Sequence, residues 1–220
     1  MKKCFVFVIS FAVVWAVHAQ DYGIRVGPNA SMVLGGDKNL FHTFDKDNNE
    51  ITTQPKIGFN VGFYARFQMS EHLFFRPEIG YSAKGFANKK AVYQYIDAKV
   101  YRYDFNYLDF TPLLQLGNHE YGMHMFLGPQ VGYLLQSRRR LENEYGKIEN
   151  IIGKKPNRLA VGAVVGLGYE FAWGLNWALR AEYNITPIAS GVSANILALQ
   201  GMVGFNLSSI NVYRRTHRNR

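Results

Sequence analysis

Residues 57–67 read Ile-Gly-Phe-Asn-Val-Gly-Phe-Tyr-Ala-Arg-Phe, with every odd position apolar and Gly, Asn, Gly, Tyr and Arg at the even ones. Successive side chains of a strand point to opposite faces, so this segment predicts a strand with one apolar and one polar face. The alternation recurs along the chain. Its apolar phase falls on Tyr22, Ile24 and Val26; on Leu73, Phe75, Pro77, Ile79, Tyr81 and Ala83; on Leu108, Phe110, Pro112, Leu114 and Leu116; and on Met123, Met125, Leu127, Pro129, Val131 and Tyr133. It returns on Leu159, Val161, Ala163, Val165, Leu167, Tyr169 and Phe171, then on Leu175 to Ile185 and on Leu197 to Leu207. Eight segments of about ten residues match the length of a tilted strand that crosses a bilayer. The opposite phase carries charged side chains where a water-soluble sandwich would need its dry core. The pattern therefore predicts an all-β fold, an eight-stranded antiparallel up-and-down transmembrane β-barrel with lipid against the apolar phase and polar side chains inside.

The connections give a second signal. Those after the second, fourth and sixth strands are short, at 69–72, 117–121 and 172–174, whereas those at 34–56, 85–102, 137–157 and 187–195 are longer and polar. Short periplasmic turns on one rim and longer extracellular loops on the other are expected of such a barrel, with both ends of the chain in the periplasm. Closure is a physical requirement, because an open sheet edge in hydrocarbon leaves backbone N–H and C=O groups unpaired. Gly58, Gly62, Gly80, Gly128, Gly132, Gly162, Gly166, Gly168 and Gly204 share the inward phase. There, small residues make room for long neighbours in a narrow interior.

That interior phase collects Arg25, Arg66, Arg76, Lys84 and Arg180 against Glu78, Asp109, Glu170 and Glu182. Charges in a poorly hydrated lumen must pair or carry a large desolvation cost, and mixed signs permit pairing. Arg76 with Glu78, and Arg180 with Glu182, stand two apart and point the same way. These nine residues are expected to form a structural ion-pair network; a conducting pore lined by them is the alternative. Aromatic residues near strand ends, among them Tyr22, Phe67, Phe74, Phe75, Tyr81, Tyr133, Phe171, Trp173 and Trp177, are candidates for interfacial girdles. In the third long loop Arg138, Arg139 and Arg140 follow Leu134 and Leu135, placing a basic run at the outer headgroups where it can contact lipopolysaccharide phosphates.

Composition narrows the setting. Lys2 and Lys3, the apolar run 5–17 and Val17-His18-Ala19 before Gln20 mark residues 1–19 as a secretory signal peptide, too short in its apolar part to span a bilayer. The barrel then occupies 20–208 and a basic tail 209–220. The single cysteine, Cys4, lies in the signal, so neither disulfides nor thiol chemistry is expected in the mature chain. The formal net charge is +9, but after export the nearest anions are lipopolysaccharide and surface polymers, and no nucleic-acid partner is expected. His42, His72, His119 and His124 are scattered without metal-ligand spacing. Neither metal nor cofactor is implied, and no catalytic residue is assigned. The acidic stretch 45–50 lacks the glycine and the length of a calcium loop.

The stretches Tyr22-Gly-Ile-Arg-Val-Gly-Pro-Asn, Phe75-Arg-Pro-Glu-Ile-Gly-Tyr-Ser-Ala-Lys-Gly, Asn106-Tyr-Leu-Asp-Phe-Thr-Pro-Leu-Leu, Leu127-Gly-Pro-Gln-Val-Gly-Tyr-Leu-Leu and Val165-Gly-Leu-Gly-Tyr-Glu-Phe resemble the outer-membrane β-barrel domain family, the small porin-like proteins related in architecture to OmpA and OmpX. The resemblance spans nearly the whole mature chain and implies a location in the cell outer membrane of a Gram-negative bacterium. It brings no catalytic residues. One departure concerns the end of the chain: such barrels commonly finish on an aromatic, whereas here Phe205 precedes a basic tail, so the last strand extends to Tyr213 or the insertion signal is internal. The expected function is that of a monomeric structural or surface-interaction barrel. Its alternatives are a narrow channel for ions or small solutes and a lipid-modifying enzyme.

Overall fold

Alternating sequence gives alternating burial. In the computed structural model, which describes residues 21–34, 54–89, 92–93, 96–97, 100–117, 121–143, 146–149, 156–190 and 193–208, Ile57, Phe59, Val61 and Phe63 are exposed while Asn60, Tyr64 and Arg66 are buried. The strands are β1 (Asp21–Leu34), β2 (Gln54–Gln68), β3 (Leu73–Lys89), β4 (Val92–Tyr93), β5 (Ile96–Asp97), β6 (Val100–Gly117), β7 (Gly122–Asn143), β8 (Gly146–Glu149), β9 (Leu159–Glu170), β10 (Leu175–Asn184) and β11 (Asn195–Asn206). Neighbours run β6-β3-β2-β1-β11-β10-β9-β7, and pairing of β6 with β7 closes the ring. All these pairs are antiparallel, so the molecule is an eight-stranded closed barrel. β8 extends one end of β7, and β4 with β5 forms a separate short pair.

Closure satisfies every strand on both edges, which is the condition for lying in hydrocarbon. The exposed face is a continuous apolar belt that includes Ile24, Val26, Leu114, Met125, Leu127, Val165, Leu179, Leu199 and Val203. A belt of this extent is far larger than the patches that water-soluble monomers expose, and it fits a transmembrane barrel. Aromatic pairs cluster where the belt meets the rim that bears the short connections: Tyr22 with Phe63, Phe67 with Phe75, Phe171 with Trp173 and Trp173 with Phe205. Phe74 is a correction to the girdle. Its even position puts it inside, fully buried, with the Arg66 guanidinium 5.5 Å from its ring centre; nearness to a turn had suggested the interface, and strand phase overrides it.

The strands also run further than the apolar alternation indicates. β1 continues to Leu34, β3 to Lys89 and β7 to Asn143, while β6 begins at Val100. Beyond the belt the two faces exchange character: Arg102, Asp104 and Asn106 occupy the outer phase of β6, while Tyr103, Phe105 and Tyr107 are buried inside. Arg138, Arg139 and Arg140 therefore lie in β7, opposite Asp104, Tyr103 and Arg102 of β6, rather than in a loop. In β6 the alternation of period two persists there with its sign reversed, because water replaces lipid outside, whereas in β7 a bulge at Leu135 shifts the phase by one residue, so that Gln136, Arg138 and Arg140 share the outer face with Asn106, Asp104 and Arg102. The expected signal peptide 1–19 and tail 209–220, with Tyr213, fall outside the described residues, as do His42, His119 and the stretch 45–50.

Candidate functional site

The barrel interior is built in tiers that can be followed up β3, whose inward positions run Phe74, Arg76, Glu78, Ser82, Lys84 and Phe86. At the rim of short connections, Arg66 donates to Asp21 Oδ2 through Nη2 at 2.6 Å and Nε at 3.0 Å, and to Glu170 Oε2 through Nη1 at 2.9 Å. Asn206 Nδ2 donates to the other oxygen of Glu170 at 2.9 Å.

The middle tier gathers three arginines on one carboxylate. Arg180 Nη2 donates to Glu78 Oε2 at 2.6 Å, Arg25 Nη1 donates to Oε1 at 3.4 Å, and Arg76 Nε lies 3.0 Å from Oε1. Arg76 Nη1 also donates to Gln115 Oε1 at 2.9 Å, and Arg25 Nε to Asn176 Oδ1 at 3.2 Å. Aromatic faces carry part of the excess charge: the Arg76 guanidinium sits 3.9 Å from the Tyr64 ring centre, and that of Arg180 sits 5.2 Å from Phe126. Room for these long side chains comes from absent ones. A Cβ at Gly204 would stand 2.6 Å from Arg25 Cγ, and one at Gly166 would stand 2.5 Å from the Phe126 ring.

In the third tier Lys84 Nζ donates to Asp109 Oδ2 at 3.1 Å and to Glu182 Oε1. Ser82 donates to the same Asp109 oxygen, and Gln200 Nε2 donates to Glu182 Oε2 at 2.9 Å. Between the second and third tiers lies a gap of about 40 Å³, lined among others by Arg25, Glu78, Asp109, Gln130, Arg180 and Glu182, with room for a few waters. Above it the interior turns apolar. Phe86 stacks on Tyr103 at 4.5 Å between ring centres, Phe105 packs between Tyr103 and Tyr107, and Leu134, Ile188 and Ile196 complete the layer.

All nine charged residues of the inward phase thus come together in the lumen, in pairings that differ from sequence adjacency. Arg76 does meet Glu78 on its own strand, but Arg180 reaches across to Glu78, and Glu182 is held by Lys84 rather than by Arg180. Residues two apart on a strand are separated by about 6.8 Å, so a partner on the facing wall competes well. Asp21 joins the network at the first residue of β1; the sequence reading began that strand at Tyr22 and missed it, although its odd position is in phase with Gly23 and Arg25. With Asp21 included, Arg25, Arg66, Arg76, Lys84 and Arg180 face an equal number of carboxylates. Among the described residues, no group of three or more His, Cys, Asp and Glu side chains could hold a metal ion.

Outside the barrel, beyond the apolar belt, Arg138 is exposed and Arg140 Nε lies 3.6 Å from Asp104 Oδ2. Lys56 Nζ is paired to Asp104 Oδ1 at 2.5 Å. The Arg139 side chain lies outside the described residues.

A family model described as an outer membrane protein beta-barrel domain matches residues 18–190. No curated protein matches the chain. Among solved structures, Neisserial surface protein A is similar with 10% identity over 84% of this chain and 96% of that one, at a TM-score of 0.50. The Yersinia pestis attachment invasion locus protein Ail is 14% identical over 85% and 98% of the two chains, at a TM-score of 0.46. Pseudomonas aeruginosa OprG is 14% identical over 86% and 97%, at 0.47. At 10% identity the likeness to Neisserial surface protein A concerns the fold alone.

Proposed function

Since the chain belongs to the outer membrane protein β-barrel domain family, we propose that it is a closed outer-membrane anchor that presents its long connections at the cell surface and conducts no solute. Its place as a β-barrel of the outer membrane follows from fold and family. The sealed lumen is the further step, and the observation that carries it is the stacking of three ion-paired tiers under an apolar layer of buried side chains. An interior of eight strands is about filled by side chains, and here the side chains are long and mutually bonded. To open a path, arginines would have to leave a carboxylate they surround, at a cost of several kcal/mol, and aromatic rings would have to part, at about 1 kcal/mol for each pair.

Export would use the segment 1–19 as a signal. The rim bearing 69–72, 118–121 and 171–174 would face the periplasm with both barrel ends, and the opposite rim would meet surface polymers, host molecules or neighbouring proteins. Planar-bilayer recording of the purified protein tests the central claim: flat current traces are expected, and reproducible single-channel steps would overturn it in favour of a narrow pore.

A further inference from the structure

We propose that the outer wall of β2, β3, β6 and β7, just beyond the apolar belt, is a binding site for the phosphate of an outer-leaflet glycolipid. The inference rests on the orientation proposed above, with the long connections outward. Its residues are Lys56, Arg102, Arg138 and Arg140, arranged about Asp104.

Height along the wall is the first argument. Leu108 and Tyr133 form the last apolar outward pair on β6 and β7; the next outward pairs are Asn106 with Gln136, Asp104 with Arg138 and Arg102 with Arg140. Each two-residue step lifts the chain about 5 Å for a strand rising 3.4 Å per residue at about 40° of tilt. Arg138 thus stands about 10 Å past Leu108 and Tyr133 and three residues past Leu135, an exposed apolar side chain in the bulge of β7, and its long stem can lean back toward the headgroup layer.

Charge is the second. Four cations, Lys56, Arg102, Arg138 and Arg140, share this patch with Asp104. Three of the four cations are also held in place. Asp104 engages Lys56 and Arg140 on different oxygens, and Gln136, with its amide oxygen turned to Arg138, accepts from Nη2 and Nε at 3.1 Å each. Lys56 reaches Asp104 from two strands away by crossing over Gly85, where a Cβ would stand 3.0 Å from Lys56 Cδ and 2.0 Å from the Tyr103 carbonyl oxygen. Oriented guanidinium forks at headgroup height suit a phosphate, which can accept paired N–H donors from each.

The test uses the purified, folded barrel in detergent, incubated with phosphorylated lipid A or with the same lipid A after phosphate removal, and reads retained lipid by native mass spectrometry. Because the readout needs no membrane orientation, it is separate from that proposal, which protease cleavage of the long connections on intact cells reports. Wild type is expected to prefer the phosphorylated lipid by about tenfold, the scale of three exposed charge contacts. The triple variant Arg102→Gln, Arg138→Gln, Arg140→Gln should lose the preference while keeping heat-modifiable migration on gels; if it fails to fold, Arg138→Gln alone should lower the preference measurably. No preference in wild type, or preference retained by a folded triple or single variant, would each overturn the site.

Discussion

Replacing Glu78 by Gln removes one charge and almost no volume, at the point where three buried arginines converge. Arg180, Arg76 and Arg25 lie 2.6, 3.0 and 3.4 Å from its two oxygens. Removing one partner of a buried pair costs about 3–5 kcal/mol, chiefly because the remaining charge is stranded. Here three charges are stranded together. Stacking of Arg76 on Tyr64 and of Arg180 on Phe126 persists in the variant and returns part of that energy, at about 0.5–2 kcal/mol for each contact. The expected loss is therefore about 4 kcal/mol. Urea unfolding in lipid vesicles, followed by the fluorescence of Trp173 and Trp177, would measure it, with Glu71→Gln in an exposed turn as a control expected to cost under about 0.5 kcal/mol. Adding Arg76→Met should relieve the strain, so that the double variant is less destabilised than the sum of the two singles by about 1–3 kcal/mol. A loss for Glu78→Gln no greater than the control, or strict additivity with both Arg76→Met and Arg180→Met, would refute the shared-carboxylate reasoning.

Three further outcomes can be checked in the same system. Val61→Arg or Val165→Arg on the lipid face should cost roughly 2–4 kcal/mol in urea titrations, against almost nothing for Arg138→Ala beyond the belt; equal losses would contradict the assigned faces. Double-mutant cycles should couple Glu182 to Lys84 and leave Glu182 additive with Arg180, the reverse of what their spacing on β10 suggests. Intact-mass measurement of the protein purified from outer membranes should place the mature start near Gln20, and retention of residues 1–19 would discard the export signal.

Strand phase was legible in the sequence wherever lipid lay outside, because there the outward residues are almost all apolar while the inward ones mix charged, polar and small side chains with a few apolar ones such as Leu113, Phe126 and Met202. In β11 the burial pattern alternates without a break from Asn195 to Asn206. Legibility failed where the outside becomes water. Arg138 and Arg140 sit in β7 just past a bulge at Leu135 that shifts the outward phase from odd to even positions, and a run of three arginines after such a shift carries no period-two mark separating a strand from a loop. The lumen shows a similar division. Which charges face inward follows from period two, so Arg25, Lys84 and Glu170 could be named. Which of them pair depends on how the eight strands are staggered around the ring, and that lies in the closure of β6 on β7 rather than in any local segment. Asp21 was lost for a simpler reason, since no apolar neighbour precedes it to announce the strand.

The unequal lengths of the strands give the barrel a direction. β3, β6 and β7 continue past the belt as a paired sheet, to Lys89 opposite Val100 and to Glu142 opposite Val100 on the other edge, with β8 added to the far end of β7. From Leu108 to Val100 this wall climbs about 20 Å at the usual rise and tilt, while β9 starts at Leu159 and β10 stops at Asn184, near the top of the belt. Among the described residues the barrel wall is thus shaped like a chair, with a tall back on one side and a low seat on the other. In the orientation proposed above, a macromolecule approaching this wall from the cell exterior meets the back first, so long surface polysaccharides should shield the seat far more than the crest.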